Sequence, residues 1–199
     1  MRRIALRLAA GLALVAGLTL APASADATFR TPRTVNTVVI GDSITVQGSP
    51  YLLARRPKWI VDGVNGRRVA ALPRRIKVNL REHGTPHRLI IALGQNISAD
   101  WTKADYAAAT KLVPATTTIY FITTYRDPLV FGQEAADTEA TYSSWMGEIA
   151  AARARTHVIP WRDRVIDGSV QLVDGSHPTD PDGRKYWANL VLSTVAQFG

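Results

Sequence analysis

Short apolar runs alternate along the chain with stretches whose apolar residues recur every three or four positions. The runs are Thr37–Ile40, Trp59–Val64, Leu89–Leu93, Thr117–Thr123 and His157–Trp161. They are rich in valine and isoleucine and mostly lack polar alternation, as parallel strands covered on both faces do. Between them, Val69, Leu72, Ile76 and Leu80 share one helical face, with Pro73 tolerated in the first turn. Thr102 and Asp105 have the spacing of a capping box ahead of Tyr106, Ala109 and Val113. Tyr142, Trp145, Met146 and Ile149 make a further stripe, read as core packing. Asp180-Pro181 reads as an N-cap followed by proline at the first helical position, and Leu190, Val191, Val195 and Phe198 continue that helix. Five strands alternating with helices predict a three-layer α/β/α sandwich around a five-stranded parallel sheet. Right-handed crossovers place the strand C-termini on one edge, where open α/β sheets bind ligands.

The N-terminus has a different character. Arg2, Arg3 and Arg7 flank the start of an apolar run, Leu8 to Leu20, which ends at Pro22 and Ala23-Ser24-Ala25. That order is the pattern of a secretory signal peptide over residues 1–25. The run falls short of the ~20 apolar residues of a membrane span. The expected mature chain, Asp26–Gly199, is a single domain, secreted or associated with the cell envelope and without a transmembrane span. Its charge is +5, against +8 for the whole chain, because three arginines leave with the leader. Export argues against nucleic-acid and nucleotide-cofactor functions. The absence of cysteine excludes disulfides, thiolate metal sites and a cysteine nucleophile. With 46% hydrophobic and 20% charged residues in 199, the chain is neither disordered nor polytopic.

Chemistry is sought where the strands end. The first run leads into Gly41-Asp42-Ser43-Ile44, the second into Asn65-Gly66-Arg67, and the third into Gly94-Gln95-Asn96. Each alone has an ordinary reading: a turn, an Asn-Gly turn, and an Asx cap before the next helix. The tail holds Asp174-Gly175-Ser176-His177-Pro178. A carboxylate three residues before a histidine can fold back through a local turn and accept the imidazole Nδ1–H. Together these segments bring a serine, two oxyanion donors and an Asp–His pair to one predicted edge.

In this order the segments resemble the SGNH hydrolases, the GDSL esterase/lipase family, and the resemblance spans nearly the whole mature chain. Ile44 is a mild departure, since the family often has leucine there. The resemblance implies a flavodoxin-like sheet and acyl-ester chemistry. It makes Ser43 the nucleophile, His177 the general base and then acid, and Asp174 its orienting partner. The Ser43 and Gly66 N–H groups and the Asn96 side chain become the oxyanion hole. The residues read alone support the same roles, because an alcohol nucleophile needs a base and its tetrahedral intermediate needs donors. No cofactor is called for. No metal is expected either, since His83, His87 and His157 lack ligand spacing with carboxylates, and His83 and His87 flank a Gly-Thr-Pro turn.

Thr45, Val46, Tyr125 and Arg126 follow strand ends and are expected to line the substrate pocket. Arg126 either meets an anionic substrate group or pairs with Asp127. No lid-like insertion is present, which favours small acyl groups on sugars or cell-wall polymers over long-chain lipids. Residues 55–88 carry ten basic and two acidic side chains, whereas 89–199 carry nine and twelve. The basic segment is either a solvated helical face or a surface for an anionic envelope polymer. Three readings result: a secreted esterase, an O-acyltransferase on envelope glycans, and a non-catalytic envelope-binding module.

Overall fold

The computed structural model describes residues 34–198. The expected signal peptide lies outside the described residues. Five strands form one sheet: β1 Thr34–Gly41, β2 Ile60–Gly63, β3 Thr85–Ala92, β4 Thr118–Ile122 and β5 Thr156–Ile159. All pairings are parallel and the order is β2-β1-β3-β4-β5. That is the flavodoxin-like order, with its topological switch between β1 and β3.

Seven helices complete the layers among the described residues: α1 Ser43–Arg55, α2 Leu72–His83, α3 Lys103–Thr110, α4 Pro128–Phe131, α5 Gln133–Ala152, α6 Trp161–Ile166 and α7 Asp182–Phe198. None is long and apolar enough to cross a membrane. The period-two pleat sorts neighbouring side chains onto opposite faces. Val38, Ile40, Leu89, Ile91, Ile119 and Phe121 pack against α2, α3 and α5. Val39, Ile90, Tyr120, Ile122 and Ile159 pack against α1, α6 and α7. Both clusters are almost fully buried, which is why the runs read as continuously apolar. Fully burying one such side chain is worth about 1.5–3 kcal/mol.

The helix starts show which local signals held. The Thr102–Asp105 capping box forms as the spacing predicts, with Thr102 Oγ1 accepting the Asp105 N–H at 3.3 Å. α7 differs from expectation. It begins at Asp182, so Pro181 precedes the helix, and Thr179 Oγ1 accepts the Gly183 N–H at 3.2 Å. Asp180 turns away to pair with Arg184 and to accept the Tyr51 hydroxyl at 3.3 Å. Trp161 opens α6 and does not close a strand. Thr85 and Pro86 begin β3 and do not form a free turn between His83 and His87.

Gly41 fixes the passage from β1 into α1. A Cβ there would lie 1.8 Å from Thr45 Oγ1, so only glycine lets the helix turn back this tightly. Gly41→Ala is expected to destabilise the fold by about 1–3 kcal/mol or more, read as a lower urea midpoint. An unchanged midpoint would mean that the strand-to-helix turn has slack that this packing denies.

Candidate active site

Ser43 is the first residue of α1, half-buried at the C-terminal edge of the sheet. Asp42 caps the helix, its Oδ1 accepting the Ile44 N–H at 3.1 Å. At this position the Ser43 N–H has no intrahelical acceptor, and the helix dipole favours negative charge. The Ser43 hydroxyl meets His177 Nε2 at 2.8 Å. His177 Nδ1 meets Asp174 Oδ2, also at 2.8 Å. With the Nδ1–H donated to the carboxylate, Nε2 is the acceptor for the serine proton.

Asp174 is fixed by the backbone of the residues that follow it. Its Oδ1 accepts the N–H of His177 at 2.8 Å and of Ser176 at 3.1 Å. Burial opposes its ionisation, but these N–H groups and the imidazole outweigh it and hold the carboxyl below its ordinary range. The loop is a narrow hairpin, with Leu172 bridging Pro178 and the Val173 N–H bonded to the His177 carbonyl at 2.8 Å.

Two further residues clamp this loop to the sheet. The Asp127 N–H donates to the Gly175 carbonyl at 2.9 Å. The buried Gln95 amide donates to Ser176 Oγ at 2.8 Å and to the Tyr125 carbonyl at 2.6 Å. The loops after β3 and β4 and the histidine loop thus meet on one side chain. The sequence reading quoted Gln95 within its motif but assigned it nothing. Its side chain reaches a residue 81 positions away, which no local spacing announces.

The expected oxyanion donors follow three neighbouring strands. Gly41 stands level with Gly63 and Ala92 in register, so Ser43, Gly66 and Asn96 all follow within four residues of the same sheet edge. Gly66 has φ +69° in a turn closed by the Arg67 N–H on the Val64 carbonyl. Asn96 is not a helix cap, since Thr102 caps α3. Its carbonyl accepts the Val69 N–H at 3.2 Å, and its side-chain NH₂ is buried with no hydrogen-bond acceptor among the described residues. Such a donor is costly unless it has a use. Arg67 anchors the Gly66 turn from below, at 2.7 Å from an Asp62 carboxylate that Arg75 and Asn79 also hold.

No family model matches the sequence, nor does any curated protein. Solved structures do match. The catalytic domain of peptidoglycan O-acetyltransferase A from Streptococcus pneumoniae superimposes with a TM-score of 0.70 at 18% identity, over 83% of this chain and 93% of that one. A lipolytic protein of the G-D-S-L family from Veillonella parvula gives 0.68 at 12% identity, over 81% and 98%. An acetyl xylan esterase variant from Geobacillus stearothermophilus gives 0.57 at 17% identity, over 81% and 94%. The chain has the SGNH hydrolase fold.

Within the SGNH frame, several expected contacts are rearranged. Thr45 is fully buried beneath Gly41, because its turn of α1 faces the sheet, so it lines no open pocket. Val46 is half-buried and lies close to Gly63. Tyr125 is half-buried, with the Arg162 guanidinium 5.6 Å above its ring. Arg126 does not pair with Asp127, which caps α4. It lies 3.2 Å from Glu139, without the alignment of a hydrogen bond, and its guanidinium sits over Phe131. Burial pushes Glu139 up to about 9, with Arg126 and Arg162 offsetting only part of the cost. The basic segment is not one surface either, since Arg67 and Arg75 turn inward to Asp62.

Asp42 Oδ2 is buried with no hydrogen-bond donor among the described residues. Burial pushes this carboxyl from its ordinary 3.8 up to about 6; the Ile44 N–H and the nearby His177 and Arg67 charges pull the other way. Below pH 4 both folded and unfolded states hold the proton. Between pH 4 and 6 only the unfolded state releases it, so folding loses stability across that window. Asp42→Asn keeps the capping oxygen and cannot ionise. Its stability relative to the parent is expected to rise between pH 4 and 6 by on the order of 3 kcal/mol, then level off. Parallel thermal melts measure this, and a difference that stays flat with pH contradicts it.

Proposed function

We propose that the protein is a serine esterase acting on small acyl esters through an acyl-enzyme on Ser43. The unbroken chain Asp174–His177–Ser43, with both contacts at 2.8 Å, carries this reading. As the serine oxygen attacks the acyl carbonyl, its proton passes to His177 Nε2, and Asp174 stabilises the imidazolium. The carbonyl oxygen becomes an oxyanion received by the Ser43 and Gly66 N–H groups and the Asn96 amide. His177 then returns the proton to the departing alcohol. Water, activated by the same imidazole, attacks the acyl-serine and restores the enzyme.

A second acceptor fits the same steps. If a sugar hydroxyl replaces water, the enzyme is an O-acyltransferase, and the match to the peptidoglycan O-acetyltransferase domain supports that alternative. We favour acyl groups on glycans or cell-wall polymers as substrates. The leader-like residues 1–25 support export to the envelope, where such polymers lie.

Turnover of p-nitrophenyl acetate tests the enzyme reading against a non-catalytic module. Ser43→Ala and His177→Ala are expected to be about equally inactive with normal melting temperatures, because the pair acts as a unit. Asp174→Asn is expected to lower kcat by about 10⁴-fold through the wrong imidazole tautomer. A His177→Ala enzyme that keeps most of its activity would assign the base elsewhere.

Asn96→Ala is expected to lower kcat by roughly 10²–10³ with little change in KM, since its bond forms to the oxyanion. A purely structural Asn96 would instead lower the melting temperature and leave kcat near normal in the folded fraction.

A further inference from the structure

The sheet edge opposite the candidate active site carries a groove of its own. It lies where α1 ends, β2 begins and the last turns of α7 pass, with a volume of about 560 Å³. Arg55, Arg56, Lys58 and Arg88 line it, and no acidic residue does. None of these four takes part in an ion pair among the described residues. The groove runs on past Arg55 and Arg56 into a second concavity of about 420 Å³ beside Asn189 and Ser193. From Asn36 in the groove to Gly41 is five residues of β1, roughly 16 Å at about 3.3 Å each. The two sites therefore occupy opposite ends of the sheet.

The walls narrow the chemistry of an occupant. Leu192 and Val195 of α7 supply an apolar side. The side-chain carbonyls are already engaged: Asn36 Oδ1 accepts from Thr37 and Arg88, Asn189 Oδ1 accepts from Arg55, and the Ser193 hydroxyl gives its proton to the Leu190 carbonyl. The hydroxyl protons of a sugar polymer would find few free acceptors there. Trp59, the one aromatic in the lining, is 7% exposed and offers no face for a base or a sugar ring to stack on. What remains is a row of cations, three of them guanidiniums suited to paired phosphate oxygens, beside a methyl-lined wall.

We propose that this groove binds a linear polyol-phosphate polymer, its phosphates on Arg55, Arg56, Lys58 and Arg88 and its short carbon spacers along Leu192 and Val195. The site anchors the protein to an anionic polymer without occupying the catalytic edge. It is independent of the esterase reading and is measured by binding alone.

Fluorescence anisotropy of the purified protein with a labelled oligo(glycerol phosphate) tests this. Oligogalacturonate and single-stranded DNA of matched charge serve as comparisons. Saturable binding is expected, with log K falling against log salt at a slope of roughly −3, about 0.7 for each of four phosphates. Arg56→Glu with Lys58→Glu, both exposed loop positions, is expected to weaken binding at least tenfold and leave the melting temperature unchanged. Lys58→Glu alone should show the same direction at smaller size. The proposal fails if the oligo(glycerol phosphate) does not bind, if the charge reversals leave affinity unchanged, or if either comparison polymer binds as tightly.

Discussion

One carboxylate, Asp174, shapes both the backbone and the chemistry of the candidate site. Its Oδ1 accepts the Ser176 and His177 N–H groups and so defines the turn. Its Oδ2 accepts the imidazole Nδ1–H and so defines which nitrogen faces Ser43. Because the partners are three residues apart, little chain must be ordered to bring them together. The partner that is distant in sequence, Ser43, is delivered by the buried end of β1 and the tight turn at Gly41.

The site rests on a buried polar layer. Gln95 and the Asp127–Gly175 bond hold the histidine loop over the sheet edge. Beneath them lie Asp42 and Glu139, two carboxyls that burial pushes up, to about 6 and to about 9. A neutral acid in an apolar surround costs far less than a carboxylate. At neutral pH Glu139 therefore adds no negative charge beneath the Asp174 carboxylate and the Ser43 hydroxyl, whereas Asp42 adds one only above about pH 6.

Legibility in the sequence followed the range of the interaction. The five strands were readable because burial on both faces removes polar alternation, and the Thr102–Asp105 box because it is complete within four residues. Ser43, Asp174 and His177 were readable because strand ends and a short turn are local signals. The contacts that correct the reading join distant residues or depend on orientation. Arg126 was expected to meet either an anionic substrate group or its neighbour Asp127, but the chain folds Glu139 beneath it. Arg67 and Arg75 looked like surface charge until Asp62 was placed between them. Thr45 was placed in the pocket because it follows the nucleophile, yet the pitch of α1 turns it into the core.

The central claim is that Ser43 is a nucleophile made reactive by His177. Treatment with an organophosphonate ester, followed by peptide mass spectrometry, tests it most directly. The account predicts one adduct, on Ser43, formed far more slowly in the His177→Ala protein. An adduct on another residue, none at all, or an unchanged rate without the imidazole would contradict it.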